Sequence, residues 1–371
     1  MRARPDPERG NVSATRRATL SDVARLAGVS GTTVSYIVNG RADEMRISVE
    51  TQQRVRTAVA ELHYRPNRSA RSLRTRTTKT IGVITDFVAS GMFASRMLSG
   101  ANAAARALDH VLVISETEGD PLVERMLIDE MGERQVDGLL YVTRTTLEHE
   151  PPTSRLDSRI VMLNCVDPAR AMVSVLPDER TGGRAAAEAM LASGTAGEVF
   201  LVGEDPTPSA LAGPLRLAGI AERMAESGRA LSGVLPCDWA VEPAYDLVSR
   251  WLGQGHRPRG LICLNDRVAM GVYQALGEQG LVVPDDVAVV SFDGSELASW
   301  LRPRVTSVAL PFEQMGDLAV RLLLDAGGVE PGPHLVPMPV VEGQSVVASR
   351  GSPHRLGAGR GPMAPPMGAR S

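Results

Sequence analysis

The chain has 371 residues, 43% of them hydrophobic and 22% charged, which leaves room for two or three domains of an ordinary globular mix. It holds no apolar run of about 18 residues, which excludes a membrane-spanning helix. Its three cysteines, Cys165, Cys237 and Cys263, are odd in number and far apart, so they read as core thiols in a reducing compartment rather than a disulfide framework. The net charge of −3 hides a division: residues 1–80 carry 16 Lys+Arg against 7 Asp+Glu, and the remainder carries 24 against 36. A basic head on an acidic body is the asymmetry of a nucleic-acid binder whose bulk stays clear of the duplex.

Residues 1–17 are basic and rich in Arg and Pro without an apolar stretch behind them, so a disordered tail is expected and not a secretory leader. Thr19 with Asp22 three residues on forms a capping-box pattern that opens a helix through Ala27, and Gly28 ends it. Ser30 is then a second N-cap, for a helix from Gly31 to Val38 that stops at Asn39-Gly40. A third helix runs from about Val49 to Leu62, with Val55, Val59 and Leu62 on one face. Two short helices joined by a tight glycine turn form a helix-turn-helix. Its second helix turns Thr32, Thr33, Ser35 and Tyr36 outward, short hydroxyls and one aromatic able to reach base edges and phosphates in a major groove. A loop from Gly40 to Ile47 separates the second helix from the third.

Tyr64-Arg65-Pro66-Asn67-Arg68-Ser69-Ala70-Arg71-Ser72-Leu73-Arg74 follows. Pro66 suits the first turn of a short helix, yet Ala70 and Leu73 offer too little apolar surface to hold one by packing. Order is expected only against a partner: the arginines would meet phosphates, and Leu73 would wedge between base steps from the minor groove.

From Thr80 the pattern changes to continuous apolar runs alternating with helical stretches. Residues 81–84, 111–114, 138–142 and 160–163 form one series of runs, and 199–202, 261–264 and 287–292 form a second. Continuous rather than alternating runs mark parallel strands buried on both faces, and helices are expected between them, near 93–108, 122–134, 181–192, 216–227, 242–251, 268–276 and 311–324. Two doubly wound units fit better than one. Residues 351–371 are rich in Gly, Pro, Ala and Arg, are expected to be disordered, and show no heptads, which favours a dimer over a tetramer tied by a coiled coil.

Catalytic and metal patterns are missing. Lys79 is the only lysine and follows a threonine, so there is no phosphate-binding Gly-Lys-Ser/Thr loop, and no Gly-x-Ser-x-Gly elbow occurs. The six histidines show no i, i+4 pair and no cysteine at zinc spacing. No enzyme activity, metal or cofactor is expected.

Thr19-Leu20-x-Asp22-Val23-Ala24-x-x-Ala27-Gly28-Val29-Ser30-x-x-Thr33-Val34-Ser35-x-x-x-Asn39-Gly40, then Tyr64-x-Pro66-Asn67-x-x-Ala70-x-x-Leu73, resembles the head and hinge of the lactose-repressor/galactose-repressor (LacI/GalR) family of bacterial transcription regulators. Leu264-Asn265-Asp266-Arg267-Val268-Ala269-Met270-Gly271, Arg216-x-x-Gly219 and the run from Gly280 to Asp293 are similar to that family's effector-domain motifs. Tyr36 departs from the pattern, standing where many members carry Arg or His on the base-reading face.

The resemblance implies an N-terminal all-α helix-turn-helix head on an α/β effector domain of two doubly wound parallel-sheet subdomains, like a periplasmic binding protein. The head would span residues 18–63, the hinge 64–79 and the effector domain 80–350. Within the last, the first subdomain would take about 80–177 and 308–335, the second about 178–306 and 336–350, with the chain crossing near Asp178, Thr306 and Val336. The helix from Pro311 would belong to the first subdomain and help form the dimer face. DNA contacts would come from Thr19, Ser30, Thr32, Thr33, Ser35, Tyr36 and Asn39, and from Asn67, Arg68, Ala70, Arg71, Leu73 and Arg74 in the hinge. Ligand contacts would come from Met92, Phe93, Asp178, Arg216, Trp239, Asn265 and Asp293, whereas Asp266 and Asp286 read as helix or turn caps. The implied function is a cytoplasmic, nucleoid-associated regulator, most simply a repressor. As a homodimer it would bind a near-palindromic operator in double-stranded DNA, under control of a sugar-like or nucleoside-like effector. An exported solute-binding protein is the competing reading, and the basic head and missing leader count against it.

Overall fold

In the computed structural model, residues 18–65, 77–86, 94–151, 159–195, 197–203 and 209–346 are described. The chain divides between Thr78 and Lys79 into two compact units.

The head is three helices closed by their own caps. Helix α1 (Leu20–Ala27) opens on the expected capping box: the Asp22 N–H donates to Thr19 Oγ1 at 3.3 Å, and the Thr19 N–H donates to Asp22 Oδ2 at 2.9 Å. It closes at Gly28 in the left-handed region (φ 66°), which allows the sharp turn into α2 (Gly31–Val38). Ser30 caps α2 by accepting from the Thr33 N–H, and Ser48 caps α3 (Val49–Glu61) by accepting from the Thr51 N–H. Val23, Val34 and Val55, one from each helix, are fully buried and form the centre of the core with Ala24, Ala27, Ile37 and Ala58. The long loop after Asn39 is anchored to this core: Ala42 is buried in it, and the half-buried Ile47 packs against it. The Gln52 amide donates to the Ile47 carbonyl at 3.0 Å and to Asp43 Oδ1 at 3.3 Å.

The body holds two six-stranded sheets, as the two series of apolar runs predict. The first has the order β11-β5-β4-β3-β1-β2, from β1 (Thr80–Thr85), β2 (Val111–Glu116), β3 (Gly138–Glu148), β4 (Arg159–Val166), β5 (Val173–Pro177) and β11 (Gly332–Val336), with every pair parallel. The second has the order β12-β10-β9-β8-β6-β7, from β6 (Val199–Val202), β7 (Gly233–Leu235), β8 (Gly260–Cys263), β9 (Ala288–Asp293), β10 (Thr306–Ala309) and β12 (Val340–Val341). Its pairs are parallel except the short antiparallel β10–β12 edge.

The first-subdomain helices are α4 (Ala94–Ala107), α5 (Pro121–Glu133) and α11 (Phe312–Leu324). Those of the second are α6 (Glu179–Ala192), α7 (Ala212–Glu226), α8 (Val241–Gly253), α9 (Asp266–Glu278) and α10 (Glu296–Trp300). Both subdomains bring helices into backbone contact through glycines: Gly100 of α4 lies against the Glu313 carbonyl of α11, Gly183 of α6 against the Arg216 carbonyl of α7, and Gly271 of α9 against the Val241 carbonyl of α8.

One crossing falls a few residues from the sequence-based boundary, and the last lies next to Val336, where it is expected. Strand β10 still pairs with β9 as far as Ala309, so the return to the first subdomain falls after that residue and not near Thr306, and residues 308–309 belong to the second sheet. Strand β11 pairs with β5 through Val336, so the last crossing follows that residue. Partners chosen by strands at a crossing are set by tertiary packing, which hydropathy does not report. At the subdomain junction the tail of β3 meets the loop before α7: Leu147 bridges Ala210 antiparallel, the Glu148 N–H donates to the Ser209 carbonyl at 3.0 Å, and the Leu211 N–H donates to the Thr146 carbonyl at 2.8 Å.

Candidate effector site and nucleic-acid interface

In open parallel sheets the carboxyl ends of strands gather side chains from distant parts of the chain, which is where ligands bind. Here those ends bring Asn164 from β4, Glu179 after β5, the Leu264 carbonyl after β8 and Asp293 from β9 towards Arg216 of α7. Arg216 is only 1% exposed. Its Nε donates to Glu179 Oε2 at 2.7 Å, its Nη2 to Glu179 Oε1 at 3.2 Å, and its Nη1 to the Leu264 carbonyl at 2.5 Å. Asp293 Oδ1 lies 3.8 Å from Nη1. The guanidinium carbon sits 4.5 Å from the Phe292 ring centre and 5.2 Å from that of Trp239, so aromatic rings flank the cation. Glu179 is as buried as its partner, and the single Thr146 hydroxyl hydrogen is shared between Asn164 Oδ1 at 2.8 Å and Glu179 Oε1 at 3.3 Å. A polar chain thus runs from the first sheet through Glu179 to the second subdomain.

The residues expected around a ligand hold several distinct positions. Asn265 is the N-cap of α9, accepting from the Val268 N–H at 2.7 Å, while its amide donates to the Trp239 carbonyl at 3.3 Å. It therefore fixes the segment that carries Trp239. The Trp239 Nε1–H is itself buried and has no hydrogen-bond partner among the described residues, a state that costs about 1–3 kcal/mol and suits an acceptor arriving with a ligand. Asp178 caps α6 by accepting from the Thr181 N–H at 3.0 Å. Asp266 does not cap α9, contrary to the sequence reading: it is buried and accepts from the hydroxyls of Ser291, Ser295 and Ser307 and from the Ser295 N–H, tying β9, β10 and the start of α10 together. Asp286 closes its own turn by accepting from the Val282 N–H, as expected. Met92 and Phe93 lie outside the described residues. Sequence reasoning missed Glu179 and Phe292. The available hint was an acidic residue directly after Asp178, where the chain is expected to cross between the subdomains.

Asp293 is the strained member of this group. Its φ of 100° is unusual for a residue with a side chain. Burial, reinforced by Asp266 and Glu179 and opposed by Arg216, pushes its carboxyl up to about 7. Between the ordinary aspartate range near 4 and that value, the folded state binds a proton that the unfolded chain does not, so this group's contribution to stability falls as pH rises towards 7. The melting temperature of wild-type protein is expected to drop between pH 5 and pH 7 more steeply than that of Asp293→Asn, by differential scanning fluorimetry; parallel profiles would exclude Asp293 as the source.

On the head, Thr32 is exposed on α2, and Ser35, Tyr36 and Asn39 are half-buried beside it. Ser30 and Thr33 share a hydroxyl–hydroxyl bond at 2.9 Å, and the Asn39 amide donates to the Ser35 carbonyl at 2.6 Å, which fixes the two ends of the helix. Thr19 is spent on its capping box. The anchored loop adds Arg41, whose guanidinium sits 5.5 Å from the Tyr36 ring centre and pairs with Glu44 through two 2.7 Å bonds. A cation therefore stands next to the tyrosine that replaces the usual basic residue. The hinge residues Asn67, Arg68, Ala70, Arg71, Leu73 and Arg74 lie outside the described residues.

A capped helix-turn-helix head followed by a two-sheet sensor with a polar cluster at its strand ends defines a ligand-responsive DNA-binding regulator. Residues 19–67 match the pattern of bacterial regulatory proteins of the lacI family, and residues 187–346 match a periplasmic binding protein-like domain. The ribose operon repressor of Haemophilus influenzae is 31% identical over 313 residues, covering 83% of this chain and 91% of that protein. The HTH-type transcriptional repressor PurR of Vibrio campbellii is 31% identical over 317 residues with the same coverage. Among solved structures, the lac repressor dimer bound to operator and the anti-inducer ONPF superposes with a TM-score of 0.74 at 26% identity, covering 90% of this chain and all of that one. The chain belongs to the LacI family of bacterial regulatory proteins.

Proposed function

We propose that this protein is a transcriptional repressor that acts as a homodimer. It places two heads on the halves of a near-palindromic operator and loses or gains that grip when a small carbohydrate-like or nucleoside-like effector settles in the cleft of the body. The observation that carries this reading is the combination of a helix-turn-helix head, capped as its sequence requires, with a buried Arg216–Glu179–Asp293 cluster beside a Trp239 N–H that has no partner among the described residues. An effector bonding to this cluster would contact both sides of the Thr146–Glu179 junction, and a ligand shifts an equilibrium only by such differential contacts. Its place of work is the cytoplasm, on nucleoid DNA, and the reading invokes no catalytic step. Gel shifts of the purified protein with DNA from upstream of its own gene, with and without candidate sugars and nucleosides, test it; retention of no fragment over random competitor would oppose it.

The hinge is proposed to act as its sequence suggests, ordering on the duplex with Leu73 inserted between base steps. Leu73→Ala is expected to weaken specific operator binding by roughly 10- to 100-fold, because unstacking and the bend it permits are worth a few kcal/mol. Non-specific binding, which depends on the arginines, should change by no more than about twofold. Fluorescence anisotropy with operator and scrambled duplexes measures both, and equal losses would remove the wedge.

A further inference from the structure

An arginine in a ligand cleft ordinarily invites an anion, because its planar fork matches a carboxylate or phosphate with two parallel bonds. In this protein that fork is already filled. The Nε–Nη2 edge of Arg216 carries Glu179, Nη1 carries the Leu264 carbonyl and faces Asp293, and Phe292 and Trp239 flank the guanidinium. Helix N-termini are the other common anion seats. Those of α6 and α9 are taken, α6 by Asp178 on the Thr181 N–H with Glu179 as its first residue, and α9 by Asn265 on the Val268 N–H with Asp266 as its first residue; α7 and α8 open without a side-chain cap, so the discrimination argued here rests on the filled fork and not on the helix ends. Arg267 next to Asp266 is exposed, so solvent screens its charge.

We propose that Glu179 is a specificity-determining residue: by filling the fork of Arg216 it makes the cleft reject phosphorylated and other anionic effectors and admit uncharged polyhydroxylated or heterocyclic ones. This inference rests on the reading of the cleft as the effector site. Arg216 and Glu179 neutralise each other, and Asp293 adds negative charge to the extent that it is ionised, so an incoming phosphate meets a neutral to negative cluster with no unspent cationic fork to offset its own charge. Taking a phosphate out of water against such a cluster, with no cation left to pair with it, costs several kcal/mol, so a phosphate ester should bind at least about 100-fold more weakly than its uncharged parent. The buried Trp239 N–H and Asp293 remain, a donor and an acceptor of the kind a hydroxyl or ring nitrogen uses.

Calorimetric titration at constant ionic strength tests it, with D-ribose, D-glucose and inosine as uncharged probes and D-ribose 5-phosphate, D-glucose 6-phosphate, inosine monophosphate and inorganic phosphate as anionic ones. Wild type is expected to bind no anionic probe. Glu179→Gln, which frees one edge of the fork while keeping its shape, is expected to gain at least about tenfold in affinity for one or more of them, and Glu179→Gln/Arg216→Met is expected to lose that gain. Wild-type binding of a phosphate ester, or a folded Glu179→Gln that gains nothing, overturns the proposal. Should Glu179→Gln fail to fold by circular dichroism, the wild-type arm decides: binding of an uncharged probe with rejection of its phosphate supports the proposal, and binding of any phosphate ester contradicts it. A gain of anion binding in a protein that retains no DNA fragment would sink the regulator reading and leave the selectivity intact.

Discussion

Arg216→Met is expected to cost the protein about 3–5 kcal/mol of unfolding free energy, the usual loss when one member of a buried ion pair is removed. The size follows from what stays behind. Glu179, 1% exposed, would lose its two bonds to the guanidinium and keep only the weak 3.3 Å contact from Thr146. Asp293 would lose the cation that now opposes its burial. Replacing both partners, Glu179→Met with Arg216→Met, should return most of the loss, because an apolar pair of similar volume is often neutral or stabilising. Urea unfolding of the three proteins measures this, and a single-variant loss below about 1 kcal/mol would mean that solvent reaches Glu179. Where Arg216→Met remains folded at low temperature, its operator affinity should persist while its response to effector disappears, since the head makes its own core and the cleft loses the cation flanked by Phe292 and Trp239.

Gly219→Ala is the second large effect, expected to destabilise by about 2–4 kcal/mol through overpacking. A Cβ at this position would stand 2.0 Å from the Arg180 carbonyl oxygen, which belongs to the backbone of α6 and cannot rotate aside. Gly183 has the reciprocal relation to the Arg216 carbonyl at 2.2 Å, so the two helices touch backbone to backbone beside the Glu179–Arg216 pair. Pushing α7 away from α6 therefore stretches the ion pair as well as the helix packing. Thermal unfolding should show the loss, and effector affinity should fall with it. Gly253→Ala, with nothing within 4 Å of the added carbon and an ordinary helical setting, serves as the control and should be neutral or slightly stabilising. Equal melting temperatures for Gly219→Ala and wild type would show that the helices separate freely.

Local chemistry was legible in the sequence and non-local pairing was not. Thr19, Asp22, Gly28 and Ser30 announce the head because a cap is made within three or four residues, and the structure places each in that role. The continuous apolar runs announce parallel strands for the same reason: burial on both faces leaves a mark along a single segment. Strands β7 and β12, three and two residues long at sheet edges, have too little burial to leave one. The Glu179–Arg216 pair spans 37 residues of sequence and two helices, and a lone arginine reads the same whether a ligand or a carboxylate completes it. Asp266 misled for a related reason: it follows a capping position, but its partners Ser291, Ser295 and Ser307 come from segments that only the folded sheet brings together. Tyr36 announced a departure from the usual reading face without revealing that Arg41 stands beside it, since the loop that delivers Arg41 is anchored through Ala42 and Gln52.

The measurement that bears most directly on this account is fluorescence anisotropy of the purified dimer on a labelled fragment from upstream of its own gene, titrated with uncharged sugars and nucleosides in the presence of random competitor DNA. The account predicts a preference of at least about 1,000-fold for one fragment, shifted by at least about fivefold by one of those compounds and lost from the response of Arg216→Met. A protein that binds every duplex alike, and whose binding no compound changes, would contradict it.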